Sequence, residues 1–102
     1  MLRAEFNPKN LYVYDTEVIT VDNTNKQLNS TKRASATRVE MRLENAQARY
    51  RLDGGDATGG GIILNPMETI ILENHRDIEN FRISRAGGTN ATLYVQYRKP
   101  IS

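Results

Sequence analysis

The sequence predicts an all-β domain, folded as an antiparallel β-sandwich with a jelly-roll-like arrangement of strands. Three observations predict this fold class. Apolar and polar residues alternate with a period of two in several segments, turn-forming residues recur about every ten residues, and no segment sustains the period of an amphipathic helix. The pattern indicates about six to eight short strands, and a barrel is the minority alternative.

The length of 102 residues fits a single domain, because two cores of half this size would each leave too much apolar surface in water. We expect an N-terminal arm at residues 1–15 and the β-sandwich domain at residues 16–102. The arm is predicted because its apolar side chains follow no clear period and stand among polar residues and Pro8. These side chains are Leu2, Phe6, Leu11, Tyr12, Val13 and Tyr14.

The first half of the domain contains three predicted strands. Residues 18–21 form a short β-branched segment that a run of polar turn residues ends. The clearest signal lies at residues 36–44, where apolar and charged residues alternate without interruption. The same period continues at residues 47–52 and stops at the turn sequence Asp53-Gly54-Gly55-Asp56.

The second half contains four predicted strands. Residues 62–64 and 69–72 are short apolar segments on either side of a tight turn at Asn65-Pro66. Phe81 and Ile83 alternate with polar neighbours, and a strand with the same period follows at residues 93–98. Because a glycine-containing turn separates these last two segments, they are predicted to form a closing β-hairpin.

Composition excludes several classes of protein. There is no cysteine, so disulfides, thiolate metal sites and cysteine nucleophiles are excluded. No apolar run approaches the roughly 20 residues of a membrane span, which predicts a protein made in the cytosol without membrane attachment. The net charge of +2 is interspersed along the chain and does not predict nucleic-acid binding. The apolar fraction of 38% is low, which favours a partner or an oligomer that completes the burial.

The chain carries little that predicts catalysis or metal binding. His75 is the sole histidine and lies in a polar segment, where we expect a solvated side chain. Asp53 and Asp56 supply too few carboxylates for a calcium loop and are interpreted as turn residues. Gly59-Gly60-Gly61 lacks the lysine of a phosphate loop, and we expect it to let the chain cross between sheets. We predict no catalytic residue, no cofactor and no metal.

Arginines and tyrosines are the remaining candidates for binding. If the strands at residues 36–44 and 47–52 pair, one sheet face would collect Arg38, Arg42, Arg49 and Arg51 and could bind an anionic partner. Cross-strand ion pairing with neighbouring glutamates is the favoured interpretation of these arginines. Tyr50 and Tyr97 are in phase with the core residues, whereas Tyr94 is out of phase and is the better interface candidate.

The segment from Ala48 to Tyr97 resembles a known group of proteins. Its motifs are ARYRLDG at residues 48–54, GIILNPME at residues 61–68, IENFR at residues 78–82 and GGTNATLYVQY at residues 87–97. Their order and spacing resemble small β-sandwich proteins encoded among the head genes of tailed bacteriophages. The resemblance covers about half of the chain and contains no catalytic signature.

The resemblance implies a capsid decoration or cement protein on the outside of a phage head. Its partner would be the major capsid protein, and it would form a homo-oligomer such as a trimer. It would be located on the virion surface after assembly in the host cytoplasm. The residues expected to bind the partner are Phe6, Leu11, Tyr12 and Tyr14 in the arm, together with Tyr94. The alternatives are a head–tail joining or fibre-associated virion module and a carbohydrate-binding module. In the latter, Tyr94 or Tyr12 would stack on a sugar, and Asp53, Asp56 or Asn90 would bind its hydroxyls.

Overall fold

The structure is a computed structural model that describes residues 10–101. Within this range, seven strands and two short helices follow one another in the order β1 (Leu11–Val21), α1 (Ser30–Arg33), β2 (Arg38–Glu44), β3 (Ala48–Arg51), β4 (Ile62–Leu64), β5 (Thr69–Leu72), α2 (His75–Asn80), β6 (Arg82–Arg85) and β7 (Ala91–Pro100). The prediction of an all-β protein is confirmed. Neither helix of the described range has the length and apolar character needed to cross a membrane.

The strands form two antiparallel sheets. Sheet A has the order β1-β7-β2-β5, and sheet B has the order β4-β3-β6. The last strand, β7, therefore lies between the first two strands of the chain. An isolated bridge between Lys26 and Ile83 lies on the free side of β6.

Buried side chains of both sheets meet in one hydrophobic core. In β2 and β7 the burial follows the predicted alternation, because every second side chain points away from solvent. Tyr97 is fully buried and Tyr50 packs against the core, so the predicted phase of both tyrosines is confirmed. The largest fully buried side chains are Tyr97, Phe81, Leu28, Met41, Leu43, Ile78, Ile83 and Leu93.

The chain changes sheets at four connections, and this overturns two predictions. β6 belongs to sheet B and β7 to sheet A, so the predicted closing hairpin is wrong. The glycine loop connects β3 to β4 within sheet B, so the predicted crossing there is also wrong. Gly61 is required for another reason: its φ is +158°, and a Cβ atom would lie 2.8 Å from the carbonyl oxygen of Tyr50. The actual crossings are at residues 45–47, 65–68, 73–81 and 86–90, and the third of them contains α2.

The crossings use backbone conformations that sequence periodicity does not indicate. Asn45, between β2 and β3, has a φ of 83°, which asparagine tolerates better than most residues. Met67, between β4 and β5, has a φ of 75°, which is uncommon for its side chain. Its backbone N–H donates to the carbonyl of Leu43 at 2.6 Å, so the corner is tied to the end of β2.

β1 begins earlier than the predicted domain boundary. Residues 11–15 belong to this strand, and Leu11 to Val13 pair with residues 98–100 of β7. The register shifts between Val13 and Asp15, which is a β-bulge. Since a bulge adds one residue to one strand, it breaks the period of two and explains why this segment showed no clear pattern. The proposed boundary after residue 15 is therefore displaced, and residues 1–9 lie outside the described part of the chain.

Both helices are too short to give a periodic signal in the sequence. The N-terminus of α1 is capped by Asn29, whose side chain accepts from the N–H groups of Thr31 and Lys32. Asn74 caps α2 in the same way, accepting from Asp77 at 2.9 Å. α2 buries Ile78 in the core and begins at His75.

The segment at residues 26–33 covers the free edge of β1. The amide of Asn29 donates to the Glu17 carboxylate at 3.2 Å, and the Lys32 ammonium donates to the carbonyl of Thr16 at 2.6 Å. The Tyr97 hydroxyl donates to the same oxygen of Glu17 from within the core. Burial and this neighbouring carboxylate raise the pKa of Tyr97 above its ordinary value.

We predict that Val39→Asp unfolds the domain, whereas Val18→Asp is tolerated. Val39 is fully buried, so the substitution would bury an unpaired carboxylate and cost about 4 kcal/mol or more. Val18 is 63% exposed in the same sheet and serves as the matched control. Urea denaturation followed by far-UV circular dichroism measures the difference, and equal stability of the two variants would contradict the register of sheet A.

We predict that Tyr97→Phe lowers the free energy of unfolding by about 1.5 to 3 kcal/mol at neutral pH, because it removes a hydrogen bond to a charged group. The raised pKa means that the folded protein retains the Tyr97 proton after the unfolded chain releases it near pH 10. The native protein therefore loses the stability that this proton contributes as pH rises above about 10. Tyr97→Phe has no hydroxyl at this position and does not show this loss. The urea midpoints of the native protein and of Tyr97→Phe should therefore lie closer together at alkaline pH than at neutral pH. A gap between the two midpoints that does not change with pH would contradict this role of Tyr97.

Candidate functional site

The outer face of sheet A is the strongest candidate for a binding surface. The strand register aligns two rows of side chains across it. One row is Val18, Tyr94, Arg42 and Thr69, and the next is Thr16, Gln96, Glu40 and Ile71. We call these eight residues the sheet A surface. Successive residues of a strand point to opposite faces, so each of them lies on the side away from the core.

Three apolar side chains are exposed on the sheet A surface. Val18 is 63% exposed, Ile71 46% and Tyr94 45%. Tyr94 has Val18 directly opposite it on β1 and Arg42 directly opposite it on β2. Ile71 lies opposite Glu40 on the edge strand β5. An exposed aromatic ring beside a β-branched side chain on an open sheet is typical of protein-binding surfaces.

A shallow depression of about 370 Å³ lies over part of this surface. Tyr94 and Ile71 contribute apolar walls, and Glu40, Arg42 and Gln96 contribute polar groups. The backbone there is extended and regular, so the depression owes its shape to the differing lengths of neighbouring side chains. Such an arrangement can accept an apolar side chain or a planar ring and surround it with hydrogen-bonding groups.

The charged residues of this face neutralise one another. Glu40 accepts from Arg98 at 2.8 Å and lies 3.2 Å from Arg38, which also pairs with Glu73 at 3.1 Å. Arg42 pairs with Glu44 at 2.7 Å. Exposed pairs of this kind contribute at most about 1 kcal/mol each to stability. Their main consequence is that the sheet A surface has no large excess of charge of either sign.

The predicted arginine face does not form. β2 lies in sheet A and β3 in sheet B, so Arg38 and Arg42 are separated from Arg49 and Arg51. The favoured interpretation, cross-strand pairing of these arginines with glutamates, is not found in the described part of the chain. Arg38 and Arg42 pair with Glu40 and Glu44 of their own strand, and the cross-strand partner of Glu40 is Arg98.

The predicted partner-binding residues that lie within the described range do not form one group. Phe6 lies outside the described residues. Leu11 is half-buried in β1, and Tyr12 is 42% exposed and pairs in register with Lys99. Tyr94 lies on the sheet A surface. Val18, which lies opposite Tyr94 on β1, and Ile71, which lines the same depression from β5, were missed, because only the pairing of distant strands brings them to the same face.

Tyr14 belongs to the fold and is poorly placed for a partner. Its ring packs 6.4 Å from that of Tyr97, the Lys99 ammonium lies 4.6 Å above it, and its hydroxyl donates to the carbonyl of Lys32. Desolvation, followed by the nearby Asp15 carboxylate, raises the pKa of Tyr14. Both the ring and the hydroxyl of Tyr14 therefore make contacts within the domain.

The loop between β3 and β4 uses its carboxylates to form turns. Asp53 accepts from the Arg51 guanidinium at 2.9 and 2.5 Å and from the amide of Gly55 at 2.9 Å, which lowers its pKa. Asp56 accepts from the hydroxyl and amide of Thr58, which lowers its pKa likewise. Residues 10–101 contain no group of three or more metal-ligating side chains. Asp53 lines a different depression from Tyr94.

We predict that removing residues 1–15 destabilises the protein by about 3 kcal/mol or more relative to removing residues 1–9. The longer deletion takes away the pairing of Leu11 to Val13 with β7 and the packing of Tyr14 on Tyr97. Thermal unfolding of the two truncated proteins side by side measures the effect. Equal melting temperatures would mean that the first half of β1 adds nothing to the fold.

Comparisons with protein-family models, with curated proteins and with solved structures find no match for this chain.

Proposed function

We propose that this chain is a non-catalytic structural protein that binds another protein through the sheet A surface. The observation that carries the proposal is the exposure of Val18, Tyr94 and Ile71 on one regular face. More specifically, we propose a capsid decoration or cement protein that binds the major capsid protein on the outside of a phage head. As part of the same proposal, the two sheets form an antiparallel β-sandwich with a jelly-roll-like arrangement of strands.

Exposure of Val18, Ile71 and Tyr94 to water is unfavourable, and a partner that covers them would remove this cost. Removing apolar area from water contributes roughly 25 cal/mol per Å², so covering a tyrosine and two β-branched side chains would contribute a few kcal/mol of binding. Tyr94 suits the centre of such an interface because it buries a large ring with little loss of rotamer freedom. The neutralised ion pairs around it suit a polar rim.

A small interface of this kind fits a protein that acts in many copies. Each site alone would bind weakly, because the exposed apolar area is modest. An oligomer such as a trimer, placed on a repeating lattice, converts later contacts into intramolecular ones and raises the overall affinity. Residues 1–9 and the exposed Tyr12 of β1 would supply a second contact with a neighbouring capsid subunit.

A second candidate function is carbohydrate binding, which the depression beside Tyr94 favours. A tyrosine ring flanked by Glu40, Arg42 and Gln96 combines a stacking surface with hydrogen-bonding groups for hydroxyls. A head–tail joining or fibre-associated module is the other virion role and would use the same surface in a ring of fixed copy number.

We predict that the purified protein saturates capsid shells that lack it at many lattice sites and raises their resistance to heat. Ile71→Ser and Tyr94→Ser should each weaken binding about tenfold, because each removes apolar area from the proposed interface. Ile62→Ser is the matched control, since Ile62 has the same side chain as Ile71 and is more exposed, at 59% against 46%, but lies in sheet B. Light scattering of the free protein and sedimentation of the mixed shells provide the measurements.

Other results would redirect the proposal. Binding at a single vertex would favour the joining or fibre-associated role. Absence of binding, together with glycan binding that Tyr94→Ser abolishes, would favour the carbohydrate module. Equal weakening by Ile71→Ser and Ile62→Ser would mean that the sheet A surface is not the interface.

A further inference from the structure

The basic residues of the chain are distributed unevenly between the two sheets. The three strands of sheet B carry Arg49, Arg51, Arg82 and Arg85 and no acidic residue. The strands of sheet A carry four basic and four acidic residues. The small net charge of the whole protein therefore conceals a concentration of positive charge on sheet B.

The register places three of these arginines on one face. Arg51 lies directly opposite Arg82, and Arg49 is two residues further along β3. The alternate residues Ala48, Tyr50 and Ile83 belong to the core or pack against it, so these three arginines lie on the side away from it. Ile63 lies opposite Arg49 on the edge strand β4 and is exposed. We call Arg49, Arg51, Arg82 and Ile63 the sheet B surface.

Only one of the three arginines has a carboxylate partner. Arg51 binds Asp53 through two nitrogens. Arg82 donates to the backbone carbonyls of Glu79 and Phe81, which leaves its charge uncompensated. Among residues 10–101, the half-exposed Arg49 side chain makes no hydrogen bond or ion pair. Like charges directly opposite one another, as at Arg51 and Arg82, destabilise a sheet, so this arrangement does not serve the stability of the isolated protein.

The pair formed by Arg51 and Asp53 indicates the chemistry that this face accepts. The carboxylate lies across the guanidinium fork with one oxygen 2.9 Å from Nε and the other 2.5 Å from an Nη nitrogen. This two-point geometry is specific to arginine and suits planar carboxylates. Arg49 offers the same fork without an occupant.

We propose that the sheet B surface binds an acidic, extended segment of a partner protein. Its carboxylates would lie on Arg49 and Arg82, and an apolar side chain of the segment would cover Ile63. Arg82 lies opposite Arg51, so it is offset from Arg49 by two residues, about 6.6 Å, along the strands and by about 4.8 Å across them. Long acidic side chains at alternate positions of an extended segment can reach both arginines. The apolar Ile63 among the arginines favours a peptide over a nucleic acid, whose backbone offers phosphates without apolar side chains.

This inference is independent of the function proposed for the sheet A surface. Both sheets bury their inner faces in one core, so the two surfaces point away from each other. A protein with both surfaces in use could connect two partners, but either surface could bind alone.

The test uses the full chain and a fluorescein-labelled peptide of about ten residues with glutamate at four alternate positions, separated by serine and leucine. A matched peptide has glutamine at those positions. Fluorescence anisotropy at low salt should show at least about tenfold tighter binding of the glutamate peptide. Arg49→Glu should remove most of that preference. Arg76→Glu is the matched control, because Arg76 is exposed on α2 and its change alters the net charge equally.

Three results would overturn the proposal. The first is equal affinity for the glutamate and glutamine peptides. The second is equal weakening by Arg49→Glu and Arg76→Glu, which would indicate a response to net charge alone. The third is tighter binding of a short DNA duplex than of the glutamate peptide, which would assign the surface to nucleic acid. Arg49→Lys keeps the positive charge but removes the guanidinium. If this variant binds the glutamate peptide at least about threefold more weakly, the two-point contact of the guanidinium contributes to binding. Circular dichroism of each variant verifies that it is folded.

Discussion

The placement of β7 between β1 and β2 is the constraint on which the rest of the structure depends. β7 is the last strand of the chain, and it completes a sheet whose other members are formed from residues far earlier in the sequence. Its alternate side chains Ala91, Leu93, Val95 and Tyr97 are all buried. Tyr97 also connects the core to the edge of the sheet, because its hydroxyl shares the Glu17 carboxylate with the amide of Asn29. Sheet, core and covered edge therefore depend on the same strand.

The two sheets share one core but have different outer faces. Sheet A combines exposed apolar side chains with ion pairs that cancel, as at Arg98 and Glu40. Sheet B combines arginines with a single compensating carboxylate, that of Asp53. Pairing in register produces this difference, since it selects which side chains become neighbours. A binding role based on apolar contact fits the first face, and one based on carboxylate recognition fits the second.

The protection of the sheet edges is also uneven. The segment at residues 26–33 covers one side of the molecule through the bridge of Lys26 with Ile83 and the contacts of Asn29 and Lys32 with β1. The opposite edges, β4 and β5, are only three and four residues long. Short edge strands limit unwanted pairing between molecules. They also leave Ile63 and Ile71 accessible at the rims of the two proposed surfaces.

The sequence by itself determined the strand class and most of the burial pattern. Val39, Met41 and Leu43, and likewise Leu93, Val95 and Tyr97, could be assigned to the core because the period of two is a local property of the chain. The exposure of Tyr94 followed from the same period. Local patterns could not reveal the bulge at Tyr14, the short capped helices or the sheet to which each strand belongs.

Only the tertiary structure decided which strands pair. It separated β6 from β7 and divided the four arginines that the sequence had grouped. It also placed Arg82 opposite Arg51, and Ile71 in the same depression as Tyr94. The physical reason is that alternation fixes the direction of each side chain within its own strand. The neighbours across the sheet depend on hydrogen bonding between segments far apart in the chain, which no local pattern encodes.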